Sequence, residues 1–561
     1  MSAEMLLKHF SRISEVPDSV PRLRRFILDL AVRGKLVEQY PGDEPASSLL
    51  EGIRKLAGSA SLSKTPPDGC FPLPHGWSWS DIGSITTKTG SGSTPRGGQS
   101  AYQASGIPFL RSQNIYNNGL RLNEVAYIDD ATHRRMRGTA VEPGDLLLNI
   151  TGGSIGRCCR ISDDPIQANI SQHVAIIRVA FAEMRDFVHK VVLSPFFQSF
   201  VTDEQTGAGR GGLPKNRMDR IPIALPPLKE QHRIVTKINE LMSLCDQLED
   251  VRTEREEWRD RLVTASLNRI STETATPKEI DSHLNHLPRL TTRPEHLRQL
   301  RKVVLNLSVH GRLVAQDLTD ESTDDLLNVI HQDQREAIRH GHLKKRPSTD
   351  KSSCKGLFSI PSQWRWVKLG DLITFGPQNG ISPKETKDIQ APKALTLTAT
   401  TSGFFNGSHY KHVELSECEC ENYWLSAGDV LFQRGNTREY VGIAAIFDGP
   451  AESFVSPDLM IRVRFSKHLD LRFVHTVLIS PPLREYFSSG ATGASTTMPK
   501  INQALLLNAP IPVPPLTEQR RIVAKVDELM LLCNQLEDQL ATTEADSRRF
   551  VEAVLSDARQ S

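Results

Sequence analysis

Cysteine is scarce in this 561-residue chain, with eight in all. Cys70, Cys158, Cys159, Cys245, Cys354, Cys418, Cys420 and Cys533 form no Cys-x-x-Cys pair and have no histidine at zinc-finger spacing, so no metal site is expected. Long apolar runs are also missing. The N-terminal stretch holds Lys8, Arg12, Glu15 and Asp18, and nothing reads as a signal peptide or a membrane span, so a cytoplasmic protein is expected. Nor is there an excess of one charge: 68 basic residues stand against 66 acidic ones, which leaves a polyanionic partner neither favoured nor excluded.

The patterns of common catalytic sites are absent too. Gly207-Ala208-Gly209-Arg210-Gly211-Gly212 looks like a phosphate-binding loop but lacks the Lys-Ser/Thr that must follow. The chain has no His-Glu-x-x-His, no Gly-x-Ser-x-Gly and no paired acidic cluster of nuclease type. An adenine methyltransferase would show a glycine-rich cofactor turn and an Asn-Pro-Pro-aromatic tetrapeptide, for which Ser480-Pro481-Pro482-Leu483 is no substitute. The chain is expected to catalyse nothing by itself and to bind no cofactor or metal directly.

What is there is duplication. Pro226-Pro227-Leu228-Lys229-Glu230-Gln231-His232-Arg233-Ile234-Val235 returns as Pro514-Pro515-Leu516-Thr517-Glu518-Gln519-Arg520-Arg521-Ile522-Val523. A proline pair stops what precedes it and is tolerated at a helix entry. Behind it Ile234, Ile238, Leu241, Cys245 and Leu248 follow steps of four and three, as do Ile522, Val526, Leu529, Cys533 and Leu536. Each set forms an a/d seam that needs a partner stripe, and the obvious partner of each is the other copy. An ordinary amphipathic helix on a larger core is the alternative. The two cysteines in the seams read as small buried hydrophobes.

The repeat extends further. Leu23 to Val37 matches Leu300 to Val314, each a helix closed by a C-cap glycine, Gly34 or Gly311. Trp77-Ser78-Trp79 and Trp364-Arg365-Trp366 open two globular regions that share sparse punctuation: Gly144-Asp145 with Gly428-Asp429, Gly156 with Gly442, Ser194-Pro195 with Ser480-Pro481, and Pro214-Lys215 with Pro499-Lys500. The tryptophans read as core anchors rather than base-stacking rings. Thr272, Thr274, Thr276 and Pro277 lie in a polar stretch from Ser271 to Arg293 that reads as a hinge, and Arg252 to Arg261 as a solvated helix face on which Trp258 and Leu262 still pack.

These features give an α+β protein with an internal repeat: residues 1–69 an N-terminal helical frame, 70–225 a first recognition domain, 226–356 a central helical region, 357–513 a second recognition domain and 514–561 a C-terminal seam helix. Two closely matching frames hold two domains with a similar skeleton and dissimilar loops. That suits one scaffold presenting two recognition surfaces.

Several loops suit nucleic acid. Arg210, Lys215 and Arg217 bring cations, and Asn216 an amide, among glycines that allow close approach to phosphates. Arg111, Gln113 and Asn114 offer guanidinium and amide groups for base edges, and Thr151 with Ser154 lies on a glycine turn. In the second copy the candidates are Gln433, Arg434, Asn436, Thr437 and Arg438, then Lys500 and Asn502 in the segment from Ser495. Solvated loops without a ligand are the alternative for each.

With a proline-headed Glu-Gln-x-Arg-Ile-Val helix twice, Trp-x-Trp at each domain entry and two variable domains between matching frames, the chain resembles the specificity subunit of type I restriction-modification systems over nearly all residues from Leu23 to Leu555. The resemblance implies two target-recognition domains, each reading one half of an asymmetric bipartite site in double-stranded DNA, held apart by a long antiparallel coiled coil in a pseudo-twofold arrangement. It also implies two methylating subunits that carry S-adenosylmethionine and two restriction subunits that use ATP and magnesium. A coiled-coil adaptor that binds only protein is the alternative.

Overall fold

The computed structural model describes residues 19–57, 70–203, 212–272, 274–345, 354–493 and 498–560. They fall into two units, residues 1–255 with 544–561 and residues 256–543. The main elements of the first, in order, are α1 (Ser19–Val32), α2 (Ala46–Ala57), β1 (Ser78–Asp81), β2 (Thr86–Ser91), β3 (Ile107–Leu110), β4 (Ala126–Ile128), β5 (Leu146–Asn149), β6 (Cys158–Arg160), β7 (Asn169–Ile170), β8 (Val174–Val179), α3 (Arg185–Val192), α4 (Pro195–Asp203), β9 (Pro222–Leu225) and the start of α5 (Leu228–Ser271). The second unit takes in the end of α5 and continues with α6 (Pro277–Leu290), α7 (Pro294–Val309), α8 (Thr323–Arg339), β10 (Arg365–Lys368), β11 (Ile373–Asn379), β12 (Lys393–Leu395), β13 (Tyr410–His412), β14 (Val430–Gln433), β15 (Ala444–Ile446), β16 (Met460–Phe465), α9 (Leu471–Ile479), α10 (Pro481–Gly490), β17 (Pro510–Val513) and most of α11 (Leu516–Gln560).

In the first unit the antiparallel sheet runs β2-β8-β5-β6. The unbroken apolar run Leu146-Leu147-Leu148 is explained by burial on both faces: Leu146 and Leu148 join the core that holds Phe26, Phe187 and Phe197, whereas Leu147 joins Cys159, Val174 and Ile176 in a second core. The second unit repeats the plan as β11-β16-β14-β15, with Val430 and Phe432 on one face and Leu431 on the other.

Each globular domain is closed by pairing its entry strand to its exit strand, β1 to β9 and β10 to β17. The tryptophan motif and the proline pair are thereby brought side by side. In the first unit Trp77 Nε1 donates to Glu230 Oε2 at 3.1 Å and Gln39 Nε2 to Glu230 Oε1 at 3.1 Å. In the second, Trp364 Nε1 donates to Glu518 Oε2 at 3.0 Å and Gln316 Nε2 to Glu518 Oε1 at 2.6 Å. The neighbouring Gln231 and Gln519 donate back to the carbonyls of Pro226 and Pro514, both at 2.9 Å. The Glu-Gln of the repeated motif is thus a buried polar latch. Gly34 (φ +67°) and Gly311 (φ +65°) are required beside it: a Cβ at Gly34 would stand 2.4 Å from Pro74 Cγ, and one at Gly311 2.5 Å from Pro361 Cγ.

Three expectations are corrected. Each seam finds its buried partners within its own unit: Ile234, Ile238, Leu241 and Cys245 pack with Leu23, Phe26, Ile27 and Leu30 of α1, and Ile522, Val526, Leu529 and Cys533 pack with Leu297, Leu300, Val304 and Leu307 of α7. Leu248 and Leu536 lie half-buried against the same two cores. The expected hinge is the helix α6, whose Ile280 and Leu284 are buried and whose Thr276 and Glu279 form a capping box. Trp258 and Leu262 do not pack: they are 56% and 54% exposed, and Arg261 lies over the indole at 5.2 Å.

Candidate nucleic-acid interface

The shared punctuation of the two domains is structural. Gly144 (φ +77°) and Gly428 (φ +89°) turn the chain into β5 and β14. The buried carboxylate that follows caps the turn, Asp145 accepting from the Glu142 amide at 2.7 Å and Asp429 from the Ser426 amide at 2.9 Å. An arginine on the adjacent strand neutralises it: Arg178 Nε lies 2.8 Å from Asp145 and Arg464 Nη2 2.7 Å from Asp429. Such charge-assisted contacts fix a strand firmly, and the loop it delivers carries candidate residues in both units.

In the first unit that loop is Ile150 to Gly156. Thr151 pairs with Gly212 in a β-bridge, and its hydroxyl lies 2.6 Å from His173 Nδ1. Ser154 accepts from Asn149 Nδ2 at 3.1 Å, and the same amide donates to Ser112 O at 2.9 Å. One buried asparagine therefore ties the turn at Thr151–Ser154 to the turn at Ser112–Asn114. Lys215, Asn216 and Arg217 are exposed on the short helix Lys215–Met218, and Lys215 Nζ reaches Thr89 Oγ1 of β2 at 2.8 Å. Gln113 is exposed. Arg210 lies outside the described residues.

The second unit presents Thr437, Arg438, Lys500 and Asn502 exposed, with Arg438 donating to Ser488 O at 3.3 Å and Asn502 capping the short helix Gln503–Leu507. Arg434 is steadied by Asp458 at 3.0 Å and lines a polar pocket of about 370 Å³ together with Asn379, Thr492, Lys500, Asn502 and Gln503. Gly435 and Thr492 each bridge to Lys500, which laces the three segments together.

Two candidates, Asn114 and Gln433, are corrected from readers to buried supports, and the half-buried Asn436 and Arg111 also bond within the fold. Asn114 is 1% exposed, its side chain accepting from the Arg111 amide and donating to Arg121 O. Gln433 is wholly buried and its amide is spent on Leu397 O, Thr400 and Thr401. Asn436 donates to Gln433 Oε1 at 2.6 Å. Arg111 holds Glu124 O at 2.9 Å and lies over Tyr102. Each locks the loop that carries the exposed residues.

The pairing of Pro214-Lys215 with Pro499-Lys500 is also corrected. Thr151 bridges Gly212 where Gly435 bridges Lys500, and Leu213 N donates to Ile150 O as Ile501 N does to Arg434 O. Pro214 and Asn502 are the caps of the short helices that follow. Lys215 therefore corresponds to Gln503, a residue the sequence did not single out. Gln503 Nε2 reaches Asn379 Oδ1 of β11 at 3.3 Å, much as Lys215 reaches Thr89 of β2. The signal was available: this register keeps the offset between the two proline pairs.

The family described as "Type I restriction modification DNA specificity domain" matches residues 74–256 and again residues 361–543. The chain belongs to that family. Both matched ranges open at the entry motif and end inside a long helix. The chain is 26% identical over 570 residues to the type I restriction enzyme EcoEI specificity subunit of Escherichia coli, covering 96% of this chain and 93% of that one. It is 28% identical over 569 residues to the EcoAI specificity subunit of the same species, with the same coverage. A crystal structure of the HsdS subunit from Thermoanaerobacter tengcongensis aligns at 18% identity and a TM-score of 0.41, over 87% of this chain and 98% of that one. The expectation of a specificity subunit, with no catalysis of its own, agrees with the family and with these relatives. Among the described residues no helix is long and apolar enough to cross a membrane.

Proposed function

We propose that the chain is the non-catalytic subunit that reads the DNA target of a type I restriction-modification complex, one half of an asymmetric bipartite site per recognition domain. The observation that carries this reading is the equivalence of Lys215 with Gln503. One skeleton, held by the same buried aspartate and its arginine, presents an ammonium between Thr89 and Asp219 in one unit and an amide beside Asn379 in the other. A cationic side chain suits guanine O6 and N7, and an amide suits adenine N6 and N7. Equal positions with unequal chemistry read unequal half-sites.

The long helices have 44 and 45 residues, about 65 Å each at about 1.5 Å per residue. Beyond the stripes that pack on α1 and α7, they pair as an antiparallel coiled coil that relates the halves by a pseudo-twofold axis. Two methylating subunits that bring S-adenosylmethionine, and two restriction subunits that bring ATP and magnesium, assemble on this scaffold in the cytoplasm.

Titration of the chain with its methylating partner against target and random duplexes, at several salt concentrations, tests the reading. Binding that weakens steeply with salt, with the target preferred by about a thousandfold, is expected. Equal affinity for both duplexes would overturn it.

A further inference from the structure

The first unit contains a basic cleft that no candidate loop accounts for. It has a volume of about 720 Å³ and lies between α1, the start of α5, the chain beyond the Ser112–Asn114 turn, and α3 with α4. Its cations are Arg24 and Arg25 of α1, Arg157, and Lys190 of α3. Arg24 is already compensated by Asp246 at 2.6 Å and Glu249 at 2.9 Å. Arg25, Arg157 and Lys190 have no salt bridge among the described residues. Burial pulls the Lys190 ammonium below the usual lysine range, although Asp186 draws it upwards. Arg25 and Arg157 thus bring cationic groups without a carboxylate to the cleft lining, and an entering anion would neutralise them.

The cleft is also built rather than incidental. Tyr116 forms part of its wall, with the guanidinium of Arg121 at 3.7 Å and that of Arg157 at 4.8 Å from the ring. Asn117 Oδ1 accepts from the Cys158 amide, and Gln198 Nε2 donates to Gly156 O at 2.8 Å. The wall thus continues two candidate DNA-facing turns: Tyr116 and Asn117 follow Ser112–Asn114, and Arg157 follows Thr151–Ser154.

We infer that this cleft grips the phosphodiester backbone of the DNA flanking the first half-site, independently of its sequence. The inference rests on the DNA-reading function proposed above and adds a partner surface shared by the frame helix and the recognition domain. An acidic segment of a protein partner is the rival occupant, and a difference between the units speaks against it. Gly156 and Gly442 occupy the same turn, donating to Asn149 O and Gln433 O, and Ser194 and Ser480 close the same helix. In that register Arg157 and Lys190 correspond to Ile443 and Thr476, while the frame keeps Arg301 and Lys302. A protein partner docking alike on both frames would need the same lining twice. A duplex can be gripped at one flank alone, so the second unit need not repeat the lining.

The test uses the double variant Arg25→Gln/Arg157→Gln in the full chain with its methylating partner, and measures affinity for target and random duplexes from about 50 to about 200 mM salt. Each phosphate contact contributes about 0.9 to the salt slope, so over that range the variant should lose about tenfold less affinity than the wild type, on both duplexes. The methylated sequence should stay the same. Arg25→Lys/Arg157→Lys should keep the wild-type slope, and thermal unfolding of both variants should match the wild type, which separates charge loss from misfolding. An unchanged slope in the Gln variant would overturn the inference. Loss of the methylating partner at an unchanged slope would assign the cleft to an acidic protein segment. Absence of target preference in the wild type itself would instead sink the proposed function.

Discussion

Glu230 accepts the Trp77 indole N–H and the Gln39 amide from a position 1% exposed, and Glu518 does the same for Trp364 and Gln316 from a position wholly buried. Removing either carboxylate leaves two donors without their acceptor, so Glu230→Ala or Glu518→Ala should each cost about 2–4 kcal/mol of unfolding free energy. Chemical denaturation of the purified chain measures this. Burial pushes both carboxyls above the ordinary glutamate range, against the pull of their hydrogen bonds. A carboxyl raised in the folded state favours folding when protonated, and that contribution fades as pH rises through the raised value. The stability of the wild type relative to Glu230→Gln/Glu518→Gln should therefore be greater near pH 4 than near about pH 7. A difference that grows with pH would contradict this account of the latch. None of these bonds could be read from the sequence, which showed that Trp, Gln and Glu recur but not that strand pairing brings them together.

At the scale of elements, periodicity marked the long helices and their buried stripes, because steps of three and four leave few alternatives to one apolar face. It could not say what covers that face. The partner of each seam is the repeat's own first helix, so Leu241→Ala should weaken the first unit by about 2–5 kcal/mol, as loss of a core leucine does. Leu262→Ala, on an exposed position of the same helix, should fall within about 0.5 kcal/mol of the wild type. Equal effects of the two in thermal unfolding would contradict the placement of the stripe. The helix α6 was hidden by threonines that looked like linker, although Thr276-Pro277-Lys278-Glu279 carries both a capping box and a proline at the first helical position. In the loops, buried polar side chains that support and exposed ones proposed to read share one composition. Gln433 and Asn114 became distinguishable from Lys215 and Gln503 only through burial.

For the whole molecule, two units repeat one four-stranded sheet, one pairing of entry and exit strands and one set of buried polar bonds while the rest of each domain diverges. The strands Ser78–Asp81 and Pro222–Leu225 pair beside the latch, so the stretch between them can change without disturbing it. Replacing residues 70–225 by the same region of a relative with a different target, then mapping methylated adenines across the host genome by single-molecule sequencing, tests the two-reader account most directly. The account predicts that one half of the methylated motif changes while the other half and the spacer stay as they were. Both halves changing together would contradict it.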